Sequence, residues 1–408
     1  MRQLRAFVTS ALIVIGATAA SAGPDEDVLG KAAGYPIGTP RTWFFDEGVR
    51  VGSFSHLDRI LPHNTLMKAD QPSPLPAATQ SPALTYRFDN RTLTIDDFLQ
   101  RQRITGLMVL KDGAVLAERY QYARTPKHRF ISQSMAKSLT SLAIGFALAE
   151  GKIKSLDDKV AAYVPRLAGS GYGETSIRNI LRMASGVKFS ELYDGRDDLA
   201  RLTTGRNTVG TIEALRQFNE REAPQGTRFN YATSETVVLA ALLRVTTGST
   251  LSAYLSTRLW QSMGAEADAT WVKLPDEIEN GGGGFNATLR DYGRLGVLLA
   301  NDGAVGTRQV LPKDYLLEAT DWRRHPDAFA PRKATPYFGY GYQFWTYPGE
   351  KRRFALLGVY GQSIFVDPEL KLVLVLTAVA KNASAGKESL AGERDALWRG
   401  LVAAFGKW

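Results

Sequence analysis

The spacing of Ser134 and Lys137 is the feature of this sequence that most directly suggests chemistry. The two residues stand three apart, just before an apolar run from Leu139 to Ala149, so they share one face of a predicted helix. Burial in such a helix disfavours the charged form of a lysine and lowers its pKa. A neutral amine beside a serine hydroxyl is a base beside a nucleophile. The pair therefore predicts a serine hydrolase that uses no histidine.

The Ser-x-x-Lys spacing by itself is weak evidence, because it occurs three times in this chain. Ser185 and Lys188 lie in a turn-like segment, and Ser384 and Lys387 lie in a loop of small residues. Only the first pair opens an apolar helix, whose N-terminal amides and dipole favour developing negative charge. On spacing alone, a structural interpretation is the more common one: the serine caps the helix and the lysine extends to solvent.

Other catalytic systems find little support in the sequence. There is no Gly-x-Ser-x-Gly motif. None of the four histidines lies in a metal-binding pattern, and nothing favours a Ser-His-Asp triad that uses His128 or His325. The run Gly281–Gly284 is not followed by the Gly-Lys-Ser/Thr of a phosphate-binding loop. It predicts a close backbone approach, before a helix capped by Thr288. We predict no metal and no cofactor.

A hydrolase of this kind needs a second group that carries a proton to the leaving group. Tyr231 precedes an apolar helix predicted from Thr236 to Val245, so its hydroxyl is placed to face a cleft. A structural role is the default for any one of the sixteen tyrosines. We predict Tyr231 as the third catalytic residue.

The N-terminus and the composition describe the setting of the protein. Arg2 and Arg5, the apolar stretch 6–19 and the small residues 20–22 form the pattern of a secretory signal, with an uncleaved anchor as the alternative. We expect cleavage after Ala22, a secreted or periplasmic protein and no stable membrane span after signal removal. The chain has no cysteine, which excludes disulfides and thiolate chemistry. The net charge of +9 is scattered and lacks a nucleic-acid motif, so no nucleic-acid partner is predicted.

The predicted elements imply one sheet built from both ends of the chain. Residues 23–90 form an extension or linker, and residues 91–408 form the hydrolase domain. A hairpin of 104–110 and 114–120 precedes the Ser134 helix, and a mostly helical lobe covers about 152–330. The helices predicted in this lobe are Ile177–Met183, Thr211–Phe218, Ser234–Thr246, Leu251–Gln261 and Leu289–Ala300. The strands predicted after it are Gly341–Tyr347, Phe354–Tyr360, Ser363–Val366 and Leu372–Ala380, before a closing helix Glu393–Phe405. The order predicts an α+β fold with a cleft between two lobes.

These motifs and their order resemble the serine hydrolases related to class C β-lactamases, penicillin-recognising D,D-peptidases and family VIII esterases. Within that superfamily the chain is most similar to the 6-aminohexanoate-dimer hydrolase branch. The matching segments, in the family's order, are the motif at Ser134, the loop 156–165, the helix and turn 177–186, Tyr231–Thr233, the glycine turn and helix 283–291, and 358–368 in place of the third motif. The resemblance implies a β-lactamase-like fold with a five-stranded antiparallel sheet. It also favours the catalytic reading of Ser134, Lys137 and Tyr231.

Departures from the family pattern narrow the implied function. No lysine stands in Gly358–Gly361, where β-lactamases carry a K-T-G-like motif whose lysine helps hold the β-lactam carboxylate. Thr233 replaces the asparagine of the tyrosine motif. The resemblance therefore implies hydrolysis of a small-molecule ester or linear amide. A true β-lactamase or D,D-peptidase, and a non-catalytic ligand-binding envelope protein of the same fold, are the alternatives.

The resemblance also implies the remaining residues of the site. The oxyanion hole would use the backbone N–H groups of Ser134 and of Val359 on the edge strand. Tyr193 falls in the segment where this branch places a substrate-contacting tyrosine. The other residues proposed to contact substrate are Thr233, Trp345, Tyr360 and Gln362. For the last three, packing in the sheet is the alternative.

Overall fold

The structure is a computed structural model that describes residues 22–384 and 388–408. The predicted signal peptide, apart from its last residue, and Lys387 lie outside the described residues. The strands are β1 His63–Leu66, β2 Thr85–Phe88, β3 Arg91–Thr94, β4 Ile104–Lys111, β5 Ala114–Tyr120, β6 Arg129–Ile131, β7 Ala269–Val272, β8 Phe285–Thr288, β9 Ala304–Val305, β10 Arg308–Gln309, β11 Gly339–Tyr340, β12 Trp345–Thr346, β13 Phe354–Leu357, β14 Ser363–Asp367 and β15 Leu372–Ala378. The helices are α1 Glu47–Ser55, α2 Ile95–Arg101, α3 Met135–Ala149, α4 Ile177–Leu181, α5 Asp198–Thr208, α6 Thr211–Arg216, α7 Thr233–Thr247, α8 Leu251–Leu255, α9 Leu289–Ala300, α10 Lys313–Thr320 and α11 Leu390–Phe405.

The main sheet is antiparallel and has the strand order β11-β12-β13-β14-β15-β4-β5. Its strands come from residues 104–120 and 339–378, so both ends of the chain build it, as the sequence predicts. The sheet has seven strands where five were expected, because two strands of two residues, β11 and β12, extend one edge. The α+β prediction is confirmed.

This sheet separates two buried cores, and successive side chains of a strand point alternately into one core and the other. In β15, Val373 and Val375 enter a core shared with the helical lobe, which we call the inner core. Leu372, Leu374 and Leu376 enter the outer core on the opposite face. Helix α9 packs on the inner face of the sheet, whereas α11, α2 and the N-terminal segment contribute to the outer core.

A second sheet, of order β1-β7-β8-β6, lies outside the sequence prediction. Two of its strands, β7 and β8, interrupt the lobe that was expected to be mostly helical. The helix predictions were nevertheless close: α7 and α9 match to within one residue at each end. Helices α1, α5 and α10 were not predicted. Among the described residues, no single helix has the length and hydropathy of a membrane span; α7 and the helical segment 251–261 pass that test only as a pair bent by 71°.

The predicted strand Gly341–Tyr347 is wrong. The chain forms β11, a turn with Gln343 at φ 62°, and then β12. Alternating aromatic residues produced the strand pattern, yet Tyr342 and Phe344 are buried in the inner core as part of the turn. The predicted strand Phe354–Tyr360 also ends early, at Leu357, because a 3₁₀ turn begins at Val359.

Candidate active site

Ser134 lies at the turn between β6 and α3. The preceding Gln133 adopts φ 46°, a left-handed conformation that is uncommon outside glycine. Ser134 is half-buried, and its side chain makes no capping hydrogen bond to the helix. The structural interpretation of this serine as a helix cap is therefore wrong, and its hydroxyl is available to other groups.

The Lys137 amine is buried beside this hydroxyl. Lys137 is 2% exposed, and its Nζ donates hydrogen bonds to Ser134 Oγ and to the Gly282 carbonyl oxygen, both at 3.0 Å. Burial lowers the pKa of Lys137 to about 8, with the charge of Glu191 acting in the opposite direction. A substantial fraction of the amine is then neutral near pH 7.5 and can accept a proton from Ser134.

The glycine run supplies the close backbone approach that the sequence predicted. A Cβ at Gly282 would lie 2.7 Å from Thr233 Cγ2 and 3.4 Å from Lys137 Nζ, so a side chain there would displace the site. The neighbouring Gly281 carbonyl accepts a hydrogen bond from Thr140 Oγ1 at 2.9 Å. The predicted helix cap after this run is also present, as Thr288 accepts a hydrogen bond from the Asp291 N–H.

Tyr231 lies in the loop before α7 and covers Lys137. The Lys137 Nζ atom is 5.1 Å from the centroid of the Tyr231 ring. Burial and then the charge of Glu191 raise the pKa of Tyr231 well above its ordinary value, while its interaction with Ser134 opposes the rise. Trp345 stacks on this tyrosine, with the ring centroids 5.4 Å apart and the planes inclined by 23°. The phenol is thus held in its protonated form and in a fixed orientation.

Glu191 is a residue of the site that sequence reasoning missed. Its carboxylate accepts hydrogen bonds from the Thr233 N–H at 2.7 Å, from Thr233 Oγ1 at 2.8 Å and from the Tyr193 hydroxyl at 2.6 Å. It thereby joins two of the predicted substrate residues and adds a negative charge that acts on Lys137 and Tyr231. The sequence signal that could have revealed Glu191 is its position two residues before Tyr193, which was predicted to contact substrate.

The predicted oxyanion hole lies where Gly358 meets the turn before the nucleophile. A Cβ on Gly358 would be 3.0 Å from the Ser134 nitrogen and 2.5 Å from the Ser132 carbonyl oxygen. Among the described residues, neither the Ser134 N–H nor the Val359 N–H is used in a hydrogen bond. The expectation that Val359 lies on an edge strand is wrong: it begins the turn between β13 and β14, two interior strands.

The side chains of Tyr360 and Gln362 make their contacts away from this serine. Gln362 is 1% exposed, and its amide bonds to the carbonyl oxygen and the N–H of Ala378 at 2.7 and 3.1 Å. The Tyr360 ring contacts Arg50 and Phe54 of the N-terminal segment. The structure therefore brings the Ser134–Lys137 pair together with Tyr231, Thr233, Tyr193 and Trp345, and not with these two side chains.

The second Ser-x-x-Lys pair and the two histidines considered for a triad make their contacts elsewhere. Ser185 Oγ donates to the buried Glu235 carboxylate at 2.7 Å, whereas Lys188 pairs with Glu220 at the surface. The ring of His128 bonds to Thr125. His325 Nε2 bonds to the carbonyl oxygen of Glu318 at 2.7 Å. These contacts favour the first Ser-x-x-Lys pair over the second pair and over a triad that uses His128 or His325.

The fold and this buried pair are those of a serine hydrolase with the β-lactamase architecture. A family model described as Beta-lactamase matches residues 92–396, and the chain belongs to that family. It is 26% identical over 347 residues to the 6-aminohexanoate-dimer hydrolase of Paenarthrobacter ureafaciens. The aligned region covers 79% of this chain and 83% of that protein. The protein is a serine hydrolase of the amidase/esterase type.

Solved structures share the same fold. A structure from Bacillus anthracis, provisionally named a 6-aminohexanoate-dimer hydrolase, superposes with a TM-score of 0.78 at 23% identity, over 88% of this chain and 95% of that one. A D-stereospecific amidohydrolase from Streptomyces sp. superposes with a TM-score of 0.54 at 17% identity, over 70% and 93% of the two chains.

Proposed function

We propose that this protein is an exported hydrolase of carboxyl esters or linear amides that forms an acyl-enzyme on Ser134. The observation that carries the proposal is the buried amine of Lys137, 3.0 Å from Ser134 Oγ. Among the described residues, no carboxylate forms an ion pair with this amine, so its two hydrogen bonds and the charge of Glu191 offset its burial as a cation only in part. The secretory pattern of residues 1–22 supports export.

Acylation begins when the neutral amine of Lys137 takes the proton of the Ser134 hydroxyl. The serine oxygen then attacks the carbonyl carbon of the substrate. The N–H groups of Ser134 and Val359 stabilise the negative charge that develops on the carbonyl oxygen. Lys137 suits the role of base because burial brings its pKa to about 8, near the working pH.

Tyr231 completes the reaction as a proton shuttle. Its raised pKa keeps the phenol protonated in the resting enzyme, so it can donate a proton as the bond to the leaving alcohol or amine breaks. The ammonium of Lys137 returns a proton to the phenolate. For deacylation, the neutral amine accepts a proton from water, through Tyr231, as the water oxygen attacks the ester carbonyl. The bond between Ser134 Oγ and the acyl carbon then breaks, and the ammonium of Lys137 returns a proton to the serine oxygen.

The substrate class follows from what the cleft lacks and from its relatives. No lysine stands in residues 358–361 to hold a β-lactam carboxylate. The Thr233 hydroxyl, in place of an amide, is already bonded to Glu191. A dimer hydrolase and an amidohydrolase, by their names, are among the similar proteins. These observations favour open-chain esters and amides over β-lactams.

The first test is the Ser134→Ala variant. It should abolish hydrolysis of p-nitrophenyl butyrate while its circular dichroism spectrum and melting temperature stay those of the parent. Ser384→Ala is the matched control, because Ser384 is an exposed serine in the third Ser-x-x-Lys pair, and it should keep full activity. Turnover by Ser134→Ala would overturn the assignment. A fluorophosphonate probe that leaves the parent unlabelled at Ser134 would instead favour the non-catalytic ligand-binding alternative.

A substrate panel separates the remaining alternatives. We expect kcat/KM for a short-chain ester and for a linear 6-aminohexanoate oligomer to exceed that for nitrocefin. The reverse order would identify a β-lactamase. Export is tested by expression with the native N-terminus: the periplasmic protein should begin at Gly23, and a protein that retains Met1 in the cytoplasm would contradict the proposal.

A further inference from the structure

The turn that carries the Val359 N–H adopts a backbone conformation that a tyrosine rarely takes. Tyr360 has φ 60° and ψ 18° and is followed by Gly361 at φ 95°. Non-glycine residues disfavour this left-handed region because of steric contact at Cβ. A turn of this kind persists only where its surroundings hold it in place. Its orientation sets the direction of the Val359 N–H beside Ser134.

Arg50 of α1 provides one part of those surroundings. Its guanidinium carbon lies 4.3 Å from the centroid of the Tyr360 ring. The same group donates hydrogen bonds to the carbonyl oxygens of Ala380 at 2.8 Å and Phe45 at 3.1 Å. The Ala380 N–H in turn donates to the Tyr360 carbonyl oxygen at 3.2 Å. The Arg50 side chain therefore contacts the ring of Tyr360 and also binds Ala380, the backbone hydrogen-bond partner of Tyr360.

The burial of Arg50 is otherwise unexplained. The residue is 3% exposed, and it forms no ion pair with any described residue. Its Nε atom has no hydrogen-bond partner in the described part of the chain. A buried guanidinium without a carboxylate partner is costly for stability. A role of Arg50 other than stabilising the fold is therefore expected, and its contacts with Tyr360 and Ala380 point to holding the turn.

Aromatic residues of the same N-terminal segment complete the enclosure of Tyr360. The Phe44 ring lies edge-on at 5.2 Å between centroids, and the Phe54 ring lies edge-on at 5.5 Å. Helix α1 also packs against β6, the strand that leads to Ser134. The segment thus contacts the Tyr360 turn directly, and it also contacts the strand that leads to Ser134.

We propose that the N-terminal segment 43–55 is a positioning element of the active site, in which Arg50 and Phe44 hold the Tyr360 turn so that the Val359 N–H points at the oxyanion. The inference rests on the proposed function, since it needs an acyl-enzyme on Ser134. Arg50 touches no reacting atom and acts through Tyr360. Loosening the turn weakens stabilisation of the transition state more than binding of the ground state, so kcat falls and KM changes little.

The test compares two variants that both weaken the attachment of the N-terminal segment. Arg50→Met removes the contacts with Tyr360. Arg103→Met removes an ion pair to Glu47 of the same segment and one to Asp25 upstream of it, but leaves Tyr360 untouched. We expect Arg50→Met to lower kcat for p-nitrophenyl butyrate by about 10- to 100-fold with KM within about 2-fold. Arg103→Met should lower the melting temperature and keep kcat.

A spectroscopic measurement distinguishes positioning from loss of stability. The carbonyl stretch of the acyl-enzyme, read by infrared difference spectroscopy with a ¹³C-labelled acyl group, reports hydrogen bonding in the oxyanion hole. It should shift to higher wavenumber in Arg50→Met and stay unchanged in Arg103→Met. Should Arg50→Met fail to fold, Phe44→Leu at a half-buried position should give a smaller shift in the same direction. An unshifted band with parental kcat in the folded variant overturns the inference, as does an equal loss of kcat in Arg103→Met. The absence of any Ser134 adduct in the parent would overturn the proposed function as well.

Discussion

At the scale of single residues, burial shifts the pKa values of the two groups proposed to transfer protons in opposite directions. Burial lowers the pKa of Lys137 to about 8 and raises that of Tyr231 well above its ordinary value. Burial disfavours whichever form is charged, so the amine loses its proton more easily and the phenol keeps its own. Two groups whose pKa values are shifted apart in this way can serve as base and acid in one reaction. Glu191 modulates both through its charge.

The pH dependence of activity should report Lys137, and Glu191→Gln should move it. In the parent, kcat/KM should rise with pH with a midpoint near 8, as the amine becomes neutral. The charge of Glu191 raises the pKa of Lys137, so its removal lowers that pKa and shifts the rising limb to lower pH. The amide oxygen of glutamine can still accept the hydrogen bond of the Thr233 N–H, and its NH2 group can donate to the Thr233 hydroxyl oxygen. A pH–rate profile with p-nitrophenyl butyrate measures the shift.

The control for this experiment is Glu220→Gln. Glu220 is an exposed carboxylate paired with Lys188, so its removal should leave the profile in place. A rising limb that stays fixed or moves to higher pH in Glu191→Gln would contradict the assigned role of the Glu191 charge.

Glu235 should make the stability of the protein fall between weakly acidic and alkaline pH. Burial raises the pKa of Glu235 to about 8 from an ordinary value of 4.5, with its hydrogen bonds from Ser185 opposing the rise. The folded chain then keeps a proton that the unfolded chain releases, so this stabilisation is complete below pH 4.5 and is lost as pH rises through 8. Glu235→Gln should therefore melt at least ~2 °C above the parent at pH 9, with a smaller difference at pH 5. Calorimetry at the two pH values measures the difference in melting temperature between the variant and the parent. A difference that is smaller at pH 9 than at pH 5 would refute the prediction.

At the scale of elements, the site depends on two glycines whose lack of a side chain lets the backbone approach the catalytic pair closely. Gly282 lets a carbonyl oxygen reach the Lys137 amine, and Gly358 lets the turn of Val359 lie against the nucleophile. The sequence pointed to the first of these, because four consecutive glycines are a local signal. It gave no local sign of the second, since the partner of Gly358 is a turn more than two hundred residues earlier in the chain.

Gly358→Ala should damage catalysis more than stability. The new Cβ would lie 2.5 Å from the Ser132 carbonyl oxygen and 3.0 Å from the Ser134 nitrogen, which forces the oxyanion turn away from the nucleophile. We expect kcat to fall by about 10²-fold or more, as for loss of an oxyanion donor. Gly392→Ala in α11 is the control, because its Cβ would meet only Phe88 Cε2 at 3.7 Å. Steady-state kinetics on both variants decide, and a fully active Gly358→Ala would show that the turn does not need this close approach.

At the scale of the whole molecule, the N-terminal segment is part of the outer core. Leu29, Val51, Phe54 and Leu57 are at most 3% exposed and pack with residues of the main sheet and α11. A side chain of this size contributes about 1.5–3 kcal/mol when buried. The part of residues 23–90 that precedes β1 therefore behaves as a structural component of the fold.

Deletion of residues 23–62 should consequently destabilise the protein severely. The truncated chain should express poorly or melt far below the parent, because it exposes the outer core. Melting temperature and size-exclusion chromatography of the truncated and full mature chains provide the measurement. A truncated protein that melts within ~2 °C of the parent would mean that the segment is only a linker.

The sequence by itself determined the fold class and pointed to the proposed nucleophile and its base. A serine and a lysine three apart at the start of an apolar helix are neighbours by helical geometry alone, so Ser134 and Lys137 needed no tertiary information. The hairpin β4–β5 and the helices α7 and α9 follow in the same way from local periodicity and caps. The motif order then linked these pieces to one superfamily.

Only the tertiary structure decided which other residues meet that pair. Glu191, the carbonyl of Gly282 and the turn at Gly358 reach the site from segments far apart in the chain, and no local pattern encodes such a contact. Likewise, Tyr342 and Phe344 alternate as in a strand but lie in a buried turn before β12, because burial of their rings, rather than strand pairing, fixes their positions. Contacts of this kind depend on packing between distant segments, which local periodicity does not record.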